Sequence, residues 1–160
     1  MAAENFSYRF ATENDVAIIL DLVTRLAEYE KMLDQVVATE ELMKKWLFDE
    51  KKAEVIFALE GDTVVGMALF FHNFSTFLGR AGIYLEDLFV LPEYRGRGHG
   101  KGLLKTLARI AVERGCGRLE WVCLDWNKPS IDFYLSLGAE RMDEWTIYRL
   151  TGQTLEDLAK

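Results

Sequence analysis

The segment from Tyr84 to Gly102, YLEDLFVLPEYRGRGHGKG, constrains the fold more than any other part of the chain. An apolar, aromatic-rich strand ends at Pro92, and a loop of glycines and arginines then leads directly into an amphipathic helix. The start of a helix exposes unpaired N–H groups and the positive end of the helix dipole, and glycines let an anion approach them. The segment therefore predicts a phosphate-binding turn between a strand and a helix.

Two common phosphate-binding motifs fail at this loop, because each requires particular residues at fixed spacing. A dinucleotide fingerprint that starts at Gly96 needs glycine where Lys101 stands. A Walker A loop that ends at Lys101 needs glycine in place of Arg95 and serine or threonine in place of Gly102. The pattern that remains is R-x-x-G-x-G, and a plain strand-to-helix turn with solvated arginines is the alternative at this point.

The composition is that of a chain of about one domain. Half of the 160 residues are hydrophobic, which is enough for a substantial core, and no linker, repeat or low-complexity tract divides them. We therefore expect one domain over residues 1–160. No apolar run approaches the roughly 18 residues of a membrane span, and the start lacks the apolar stretch of a signal peptide. We expect a cytoplasmic protein with no membrane partner.

Charge and the rarer residues exclude several classes of function. A net charge of −7 argues against nucleic acid as a partner and is compatible with a cationic small molecule. Cys116 and Cys123 form no C-x-x-C pair, and the chain has only two histidines, so we expect no metal site and no histidine-based hydrolase. Catalysis must then use other groups.

Hydrophobic periodicity and turn residues predict the order of the secondary-structure elements. Strands are predicted at 8–11, 54–59, 63–71, 83–90, 118–124 and 144–150. Helices are predicted at 12–29, from 39 onward, at 98–113, at 127–138 and at 155–160. This order combines antiparallel hairpins with a crossover, so it favours an α/β (mixed α+β) fold with a mixed, mostly antiparallel twisted sheet and helices on both faces.

Three separated segments resemble the GNAT superfamily of N-acetyltransferases, in the branch that acetylates diamines such as spermidine and spermine or the lysine analogue thialysine. They are LAEYEKMLDQVVATEELM at 26–43, YLEDLFVLPEYRGRGHG at 84–100 and WNKPSIDFY at 126–134. In that superfamily, R-x-x-G-x-G is the acetyl-CoA-binding loop. The resemblance covers nearly the whole chain. It implies a GNAT fold and an acyltransferase that moves acetyl from acetyl-CoA to a primary amine without a metal.

The resemblance also implies where acetyl-CoA binds. Its pyrophosphate is expected on the backbone of the loop, with added contacts from the Arg95 and Arg97 side chains, and its pantetheine arm is expected to pair like an added strand. The implied cofactor residues are Leu88, Phe89, Val90, Arg95, Gly96, Arg97, Gly98, His99, Gly100, Lys101, Asn127, Ser130 and Tyr134. For Asn127, helix capping is an equally good interpretation, and for Ser130 so is a solvent-facing position.

Two side chains are the candidates for the chemistry. A primary amine arrives as an ammonium ion, so a base must take its proton before it can attack a thioester. By resemblance, Glu86 is that base, directly or through water, and Tyr134 is the acid that protonates the departing sulfur. Asp87 is the less favoured base, because neighbouring strand residues point to opposite faces. Cys123 has no adjacent histidine to activate it as a nucleophile, so direct transfer in a ternary complex is expected.

Substrate choice rests on fewer residues. The implied substrate-binding residues are Tyr29, Glu30, Glu86, Glu120, Trp121 and Val122. The segment Ser75-Thr76-Phe77 departs from polyamine-acetylating members, which carry Asp and Trp there, and is nearer the Ser-Thr-Trp of thialysine-acetylating members. A thialysine-like or lysine-like amine is therefore favoured over polyamines. The resemblance also implies a homodimer. A non-catalytic acyl-CoA-binding module and a protein or peptide N-acetyltransferase stay open as alternatives.

Overall fold

The computed structural model describes residues 5–160, and these form five strands and five α-helices. The strands are β1 (Phe6–Phe10), β2 (Glu54–Glu60), β3 (Thr63–Ser75), β4 (Arg80–Val90) and β5 (Leu119–Trp121). The helices are α1 (Val16–Tyr29), α2 (Glu40–Lys44), α3 (His99–Glu113), α4 (Lys128–Ser136) and α5 (Gly152–Leu158). Two compact units divide these elements, one ending at Val122 and the other running over Cys123–Lys160. The single domain stays a prediction.

The five strands form one sheet in the order β1-β2-β3-β4-β5. The first four pair antiparallel through short connections, and β5 pairs parallel with β4 after the α3 crossover. Parallel neighbours need such a crossover, because a tight hairpin can only reverse the chain. The predicted class, a mostly antiparallel mixed sheet with helices, is confirmed.

Helices cover both faces of this sheet. Ile19, Leu22 and Leu26 of α1 form a buried cluster with residues from three strands, which are Val55, Phe57, Leu59, Met67, Leu69 and Phe89. The alternate residues of β2, Ile56 and Ala58, are equally buried, and α3 packs against β2, β3 and β4. Because neighbouring strand residues point to opposite faces, β2 is buried on both sides.

Several predicted elements differ from the observed ones. β5 spans only Leu119–Trp121 instead of 118–124, because its pairing with β4 ends at the Leu85–Trp121 position. β3 continues to Ser75, paired with Arg80 in a longer hairpin. Residues 144–150 have the apolar character of a strand, but within the described part of the chain no strand follows β5. Hydrophobic alternation indicates a face to bury and does not supply the backbone partner that a strand requires. None of the described helices combines the length and apolar character needed to cross a bilayer.

Asp15 ties the start of the first helical segment to β1. Its carboxylate accepts hydrogen bonds from both terminal nitrogens of Arg9, at 2.9 and 3.0 Å, and from the Thr12 N–H at 2.7 Å. The hydrogen bond with Arg9 is the main cause that lowers the pKa of Asp15 to about 2. Burial alone would disfavour the charge, but the hydrogen bonds outweigh it, so the charged form of Asp15 stabilises the folded state.

Replacing Asp15 by asparagine is expected to lower the free energy of unfolding by about 2 kcal/mol at pH 7, from the difference between the folded and unfolded pKa values. The folded pKa lies below the unfolded one. This stabilisation is therefore complete above about pH 4 and is lost as the pH falls through about 2. Urea unfolding of both proteins across this range measures it. Equal unfolding free energies at pH 7 would contradict the prediction.

Candidate active site

Strand β4 has one edge that is only partly paired within the first unit. Its residues from Leu88 to Val90 pair with β3, where they lie opposite Ala68, Met67 and Gly66. On the other edge, β5 pairs only with Ile83–Leu85, so it has separated from β4 before Leu88. Apart from the Val90 carbonyl, which Arg95 contacts, the backbone groups along this edge can therefore accept an extended ligand as an additional strand.

A β-bulge lies at Glu86. Leu85 pairs with Phe70 and Asp87 pairs with Leu69, so Glu86 is the extra residue of β4. A bulge interrupts regular alternation and changes the direction in which side chains point. The expectation that Glu86 and Asp87 point to opposite faces assumed a regular strand. The register does not satisfy that assumption at this pair.

Three carboxylates lie close enough to interact at this point of the first unit. The pKa of Asp87 is raised to about 7, first by burial and then by the negative charges of Glu86 and Glu30. Burial also raises the pKa of Glu30, which follows the last residue of α1. Two carboxylates near a buried third disfavour its ionisation. Asp87 is therefore poised to exchange a proton near neutral pH, which sequence reasoning did not anticipate.

The loop between β4 and α3 presents a run of unpaired backbone donors. Gly96 and Gly98 have φ angles of +77° and +93°, which side chains with a Cβ rarely adopt, and Gly98 caps α3 without a side-chain hydrogen bond. Within residues 5–160, no acceptor is hydrogen-bonded to the N–H of any residue from Gly96 to Lys101, and the Gly102 N–H is the first to pair, with Gly98. Successive free amides at a helix start fit an anionic group.

Arg95 points back toward the protein. Its Nε donates to the Val90 carbonyl at 2.9 Å, and its guanidinium lies 4.8 Å from the Tyr29 ring centre and 5.4 Å from that of Phe89. This side chain braces the loop against β4 and the end of α1. The sequence-based expectation for Arg95 was a direct contact with phosphate, and that role stays a prediction.

Arg97 and His99 of the loop converge on a carboxylate of the β2–β3 hairpin. Arg97 Nη1 donates to both oxygens of Glu60, at 3.0 and 2.9 Å, and His99 Nε2 lies 2.8 Å from one of them. His99 is buried, with its ring 4.2 Å from that of Phe6. Sequence reasoning placed Arg97 and His99 in the loop but missed Glu60. A carboxylate at a hairpin turn was its only signal.

The predicted substrate residues at β5 have different surroundings. Glu120 accepts a hydrogen bond from the Asn73 side chain and forms an ion pair with Arg118 at 3.3 Å, so its charge is already partly balanced. The backbone of Trp121 pairs with Leu85 of β4, next to the bulge. Val122 is exposed after the end of the strand.

The remaining predicted residues lie in the second unit, on or before α4. Asn127 is buried and caps α4, because its side-chain oxygen accepts a hydrogen bond from the Ser130 N–H at 3.4 Å. The capping interpretation of Asn127 is thus confirmed, and Ser130 is half-buried. Tyr134 is half-buried on α4, with its ring 5.6 Å from that of Phe133. Among the described residues, no group of three or more histidine, cysteine, aspartate or glutamate side chains could hold a metal ion.

Comparison with known proteins places the fold and the loop in one family. The family model "Acetyltransferase (GNAT) family" matches residues 20–139. The chain is 41% identical to thialysine N-epsilon-acetyltransferase of Bos taurus, over 94% of this chain and 95% of the relative. It is 33% identical to L-ornithine N5-acetyltransferase NATA1 of Arabidopsis thaliana, over 95% and 87%.

A solved structure has a similar fold. An integron cassette protein from V. cholerae superposes with a TM-score of 0.83 and 29% identity, covering 99% of both chains. The family match includes β4, the glycine loop and α3, which are the elements that form the partly paired edge and the run of free amides. The chain belongs to the acetyltransferase (GNAT) family and is an N-acetyltransferase.

Proposed function

We propose that this enzyme transfers the acetyl group of acetyl-CoA to a primary amine of a small cationic substrate. A thialysine-like or lysine-like amine is favoured and polyamines come second. The observation that carries the proposal is the run of free amides from Gly96 to Lys101 at the start of α3. A helix start with such donors suits the pyrophosphate of coenzyme A.

The first unit offers acetyl-CoA two kinds of contact. The loop amides suit its phosphates, and Arg97 adds a positive charge beside them. The partly paired edge of β4 from Leu88 to Val90 suits the amide groups of the pantetheine arm. In the second unit, Asn127, Ser130 and Tyr134 are proposed as further cofactor contacts because their segment resembles the family. The acetyl donor supplies the thioester, and the chain orients it.

Glu86 is proposed as the base. As the extra residue of the bulge it is exposed at the end of the partly paired edge, where a thioester bound along β4 would lie. It accepts a proton from the substrate ammonium, directly or through water, and so frees the nitrogen lone pair. Asp87, with a pKa raised to about 7, is a second group there that can take up a proton.

Tyr134 is proposed as the acid, on its resemblance to the family's acid alone. The amine nitrogen bonds to the carbonyl carbon and the carbonyl electron pair moves to oxygen, which gives a tetrahedral intermediate. When this intermediate collapses, the carbonyl re-forms, the carbon–sulfur bond breaks and coenzyme A leaves with the electron pair. The Tyr134 hydroxyl then protonates the sulfur and is reprotonated from solvent. Overall, the ammonium nitrogen loses two protons. One balances the proton that the sulfur gains, and the other is released to solvent.

The acidic cluster supports a cationic acceptor. Glu30, Glu86 and Asp87 interact electrostatically, and the Tyr29 ring lies next to Glu30 in sequence. An ammonium entering this cluster would relieve the repulsion among the carboxylates. The relatives named for thialysine and ornithine support an amino acid side-chain amine as the acceptor.

An amine panel tests this proposal. Thialysine, lysine, ornithine, spermidine, putrescine and an N-terminal peptide are each incubated with acetyl-CoA while release of the thiol is followed. Thialysine or lysine should give the highest kcat/KM, and spermidine a lower one. A preference for the peptide would instead favour a protein or peptide acetyltransferase. Tight coenzyme A binding without thiol release for any amine would favour a non-catalytic acyl-CoA-binding module.

Replacing Tyr134 by phenylalanine is expected to lower kcat by about 10²-fold, the size of a typical general-acid contribution, because the ring keeps its packing and loses the proton. The affinity for coenzyme A, measured by calorimetry, should change less than about twofold. Ser136→Ala, another hydroxyl loss on α4, is the matched control. Unchanged turnover would remove Tyr134 as the acid.

Two expectations accompany this proposal and stay predictions. The homodimer can be checked by sedimentation equilibrium of the full chain, and the cytoplasmic location by cell fractionation. Neither changes the assignment of the loop or of β4.

A further inference from the structure

We propose that Glu60 is a positioning residue for the coenzyme A loop, and that it acts by fixing Arg97 and His99 to the β2–β3 hairpin. The inference rests on the proposed function, because it assigns Glu60 to the acetyl-CoA site. Glu60 itself contacts neither the reacting atoms nor, on this proposal, the phosphates. It acts through the two loop residues that it holds.

Glu60 stands on a rigid part of the sheet. It is the last residue of β2 and pairs with Phe6 of β1 on one side and Thr63 of β3 on the other. The Gly61 N–H donates to the Asn5 carbonyl at 2.9 Å, which fixes the turn that follows. Strands on both sides leave the backbone of Glu60 little freedom, so its carboxylate is a fixed reference point for the glycine loop.

Glu60 orients Arg97 without occupying all of its hydrogen-bond donors. A single nitrogen of Arg97, Nη1, contacts both carboxylate oxygens, and within the described residues its Nε and Nη2 have no acceptor. The Tyr94 ring, with its centre 5.2 Å from the guanidinium, holds the same side chain from another side. The two remaining nitrogens can therefore still donate to a phosphate, and they do so from a fixed position.

Glu60 also holds the first residue of α3. A carboxylate only accepts hydrogen bonds, so His99 Nε2 carries the hydrogen that it donates over 2.8 Å. His99 is 1% exposed, and its Nδ1 has no hydrogen-bond partner in the described structure. Among residues 5–160, the bond to Glu60 is thus the polar contact that compensates for burial of this imidazole. Breaking it would leave a fully buried polar ring unpaired at the start of the helix.

The electrostatics agree with this role. The hydrogen bond from His99 is the main cause that lowers the pKa of Glu60, and Arg97 adds to it, so Glu60 is a carboxylate at neutral pH. A carboxylate beside a phosphate site repels the bound phosphate, so its presence there needs a compensating role. Simple charge repulsion predicts that removing it tightens coenzyme A binding, whereas positioning predicts that binding weakens. The two explanations have opposite signs.

A matched control lies at the other end of the same two elements. Glu54, the first residue of β2, forms hydrogen bonds of 2.7 and 2.9 Å with Arg114, just after the last residue of α3. Glu54→Gln removes the same charge and the same kind of ion pair between β2 and the α3 region. It leaves the loop untouched.

The test measures coenzyme A affinity by calorimetry for wild type, Glu60→Gln, Glu60→Asp and Glu54→Gln. Glu60→Gln is expected to weaken binding about tenfold, the loss typical of charge-assisted hydrogen bonds. Glu60→Asp keeps the charge but shortens the reach, and it is expected to weaken binding too. It also decides the question if Glu60→Gln does not fold. Glu54→Gln should stay within about twofold of wild type.

Turnover gives a second readout that a general structural defect would not reproduce. In Glu60→Gln the KM for acetyl-CoA should rise about tenfold while kcat stays within about twofold. With S-acetylpantetheine as donor, which lacks the pyrophosphate, the kcat/KM of Glu60→Gln should equal the kcat/KM of wild type. Equal losses for both donors would overturn the inference, because they would indicate disruption beyond the loop.

The outcomes separate this inference from the proposed function. If wild type binds coenzyme A and Glu60→Gln binds it equally or more tightly, positioning by Glu60 is wrong and the proposed function stands. If wild type binds coenzyme A but acetylates no amine, the proposed function fails, and the affinities alone decide the role of Glu60. If wild type does not bind coenzyme A, both the proposed function and the role of Glu60 are wrong.

Discussion

Replacing Glu86 by glutamine is expected to lower kcat by about 10²- to 10⁴-fold at pH 7, the range for loss of a general base. Glutamine has nearly the same shape, so the bulge and the coenzyme A affinity should be retained, but it cannot take the ammonium proton. Raising the pH should recover part of the activity, because more substrate then arrives as the free amine. The measurement is the pH profile of kcat and kcat/KM with the best amine of the panel.

Asp87→Asn is the matched control for that loss, since it changes the neighbouring carboxylate in the same way. If Glu86 is the base, Asp87→Asn should lower kcat much less than Glu86→Gln does. The reverse order would transfer the role of base to Asp87, whose pKa is raised to about 7. Near-wild-type turnover in both single variants would show that neither carboxylate is essential.

Asp87 should also make the protein less stable as the pH rises. Its folded pKa of about 7 lies above the ordinary value of 3.8, so the folded state binds the proton more tightly than the unfolded state does. Stability is therefore lost as the pH rises from about 4 to about 7, and the loss is complete above that range. The pKa difference corresponds to about 4 kcal/mol.

Asp87→Asn is expected to remove most of this loss, so that the variant is more stable than wild type at pH 8 and similar to it at pH 4. Urea unfolding at fixed ionic strength across this range measures the effect. Asp62→Asn, at the exposed hairpin turn, is the control and should leave the pH dependence unchanged. A wild-type stability that rises between pH 4 and pH 7 would contradict the assignment to Asp87, and so would a variant with the same pH slope.

Much of the fold could be predicted because its signals are local. Two helices are predicted to begin at Thr39 and Asn127, and each of these side chains accepts a backbone hydrogen bond at the start of its helix. The apolar spacing of α3, with Leu103, Leu107 and Ile110 buried, gave its extent to within a residue. Caps and amphipathic spacing depend on residues a few positions apart, which a single sequence displays.

The features that the sequence did not reveal depend on distant residues. The bulge at Glu86 arises from the register between β3 and β4, and no residue type marks it. The raised pKa of Asp87 comes first from burial and then from Glu86 and Glu30, and both burial and the approach of Glu30 arise only in the folded chain. Glu60 likewise meets His99 and Arg97 only because the β2–β3 hairpin lies beside the loop. Pairing and tertiary proximity are the steps that hydrophobic patterns leave open.

The free amides from Gly96 to Lys101 also have a consequence for ligand discovery. In the ligand-free protein these N–H groups have no acceptor within residues 5–160, so their hydrogens are open to exchange with solvent, whereas those farther along α3 are shielded by helix bonds. A ligand that accepts from them would slow exchange at six consecutive positions. Amide hydrogen exchange in this loop can therefore rank phosphate-bearing donors before any acceptor amine is known.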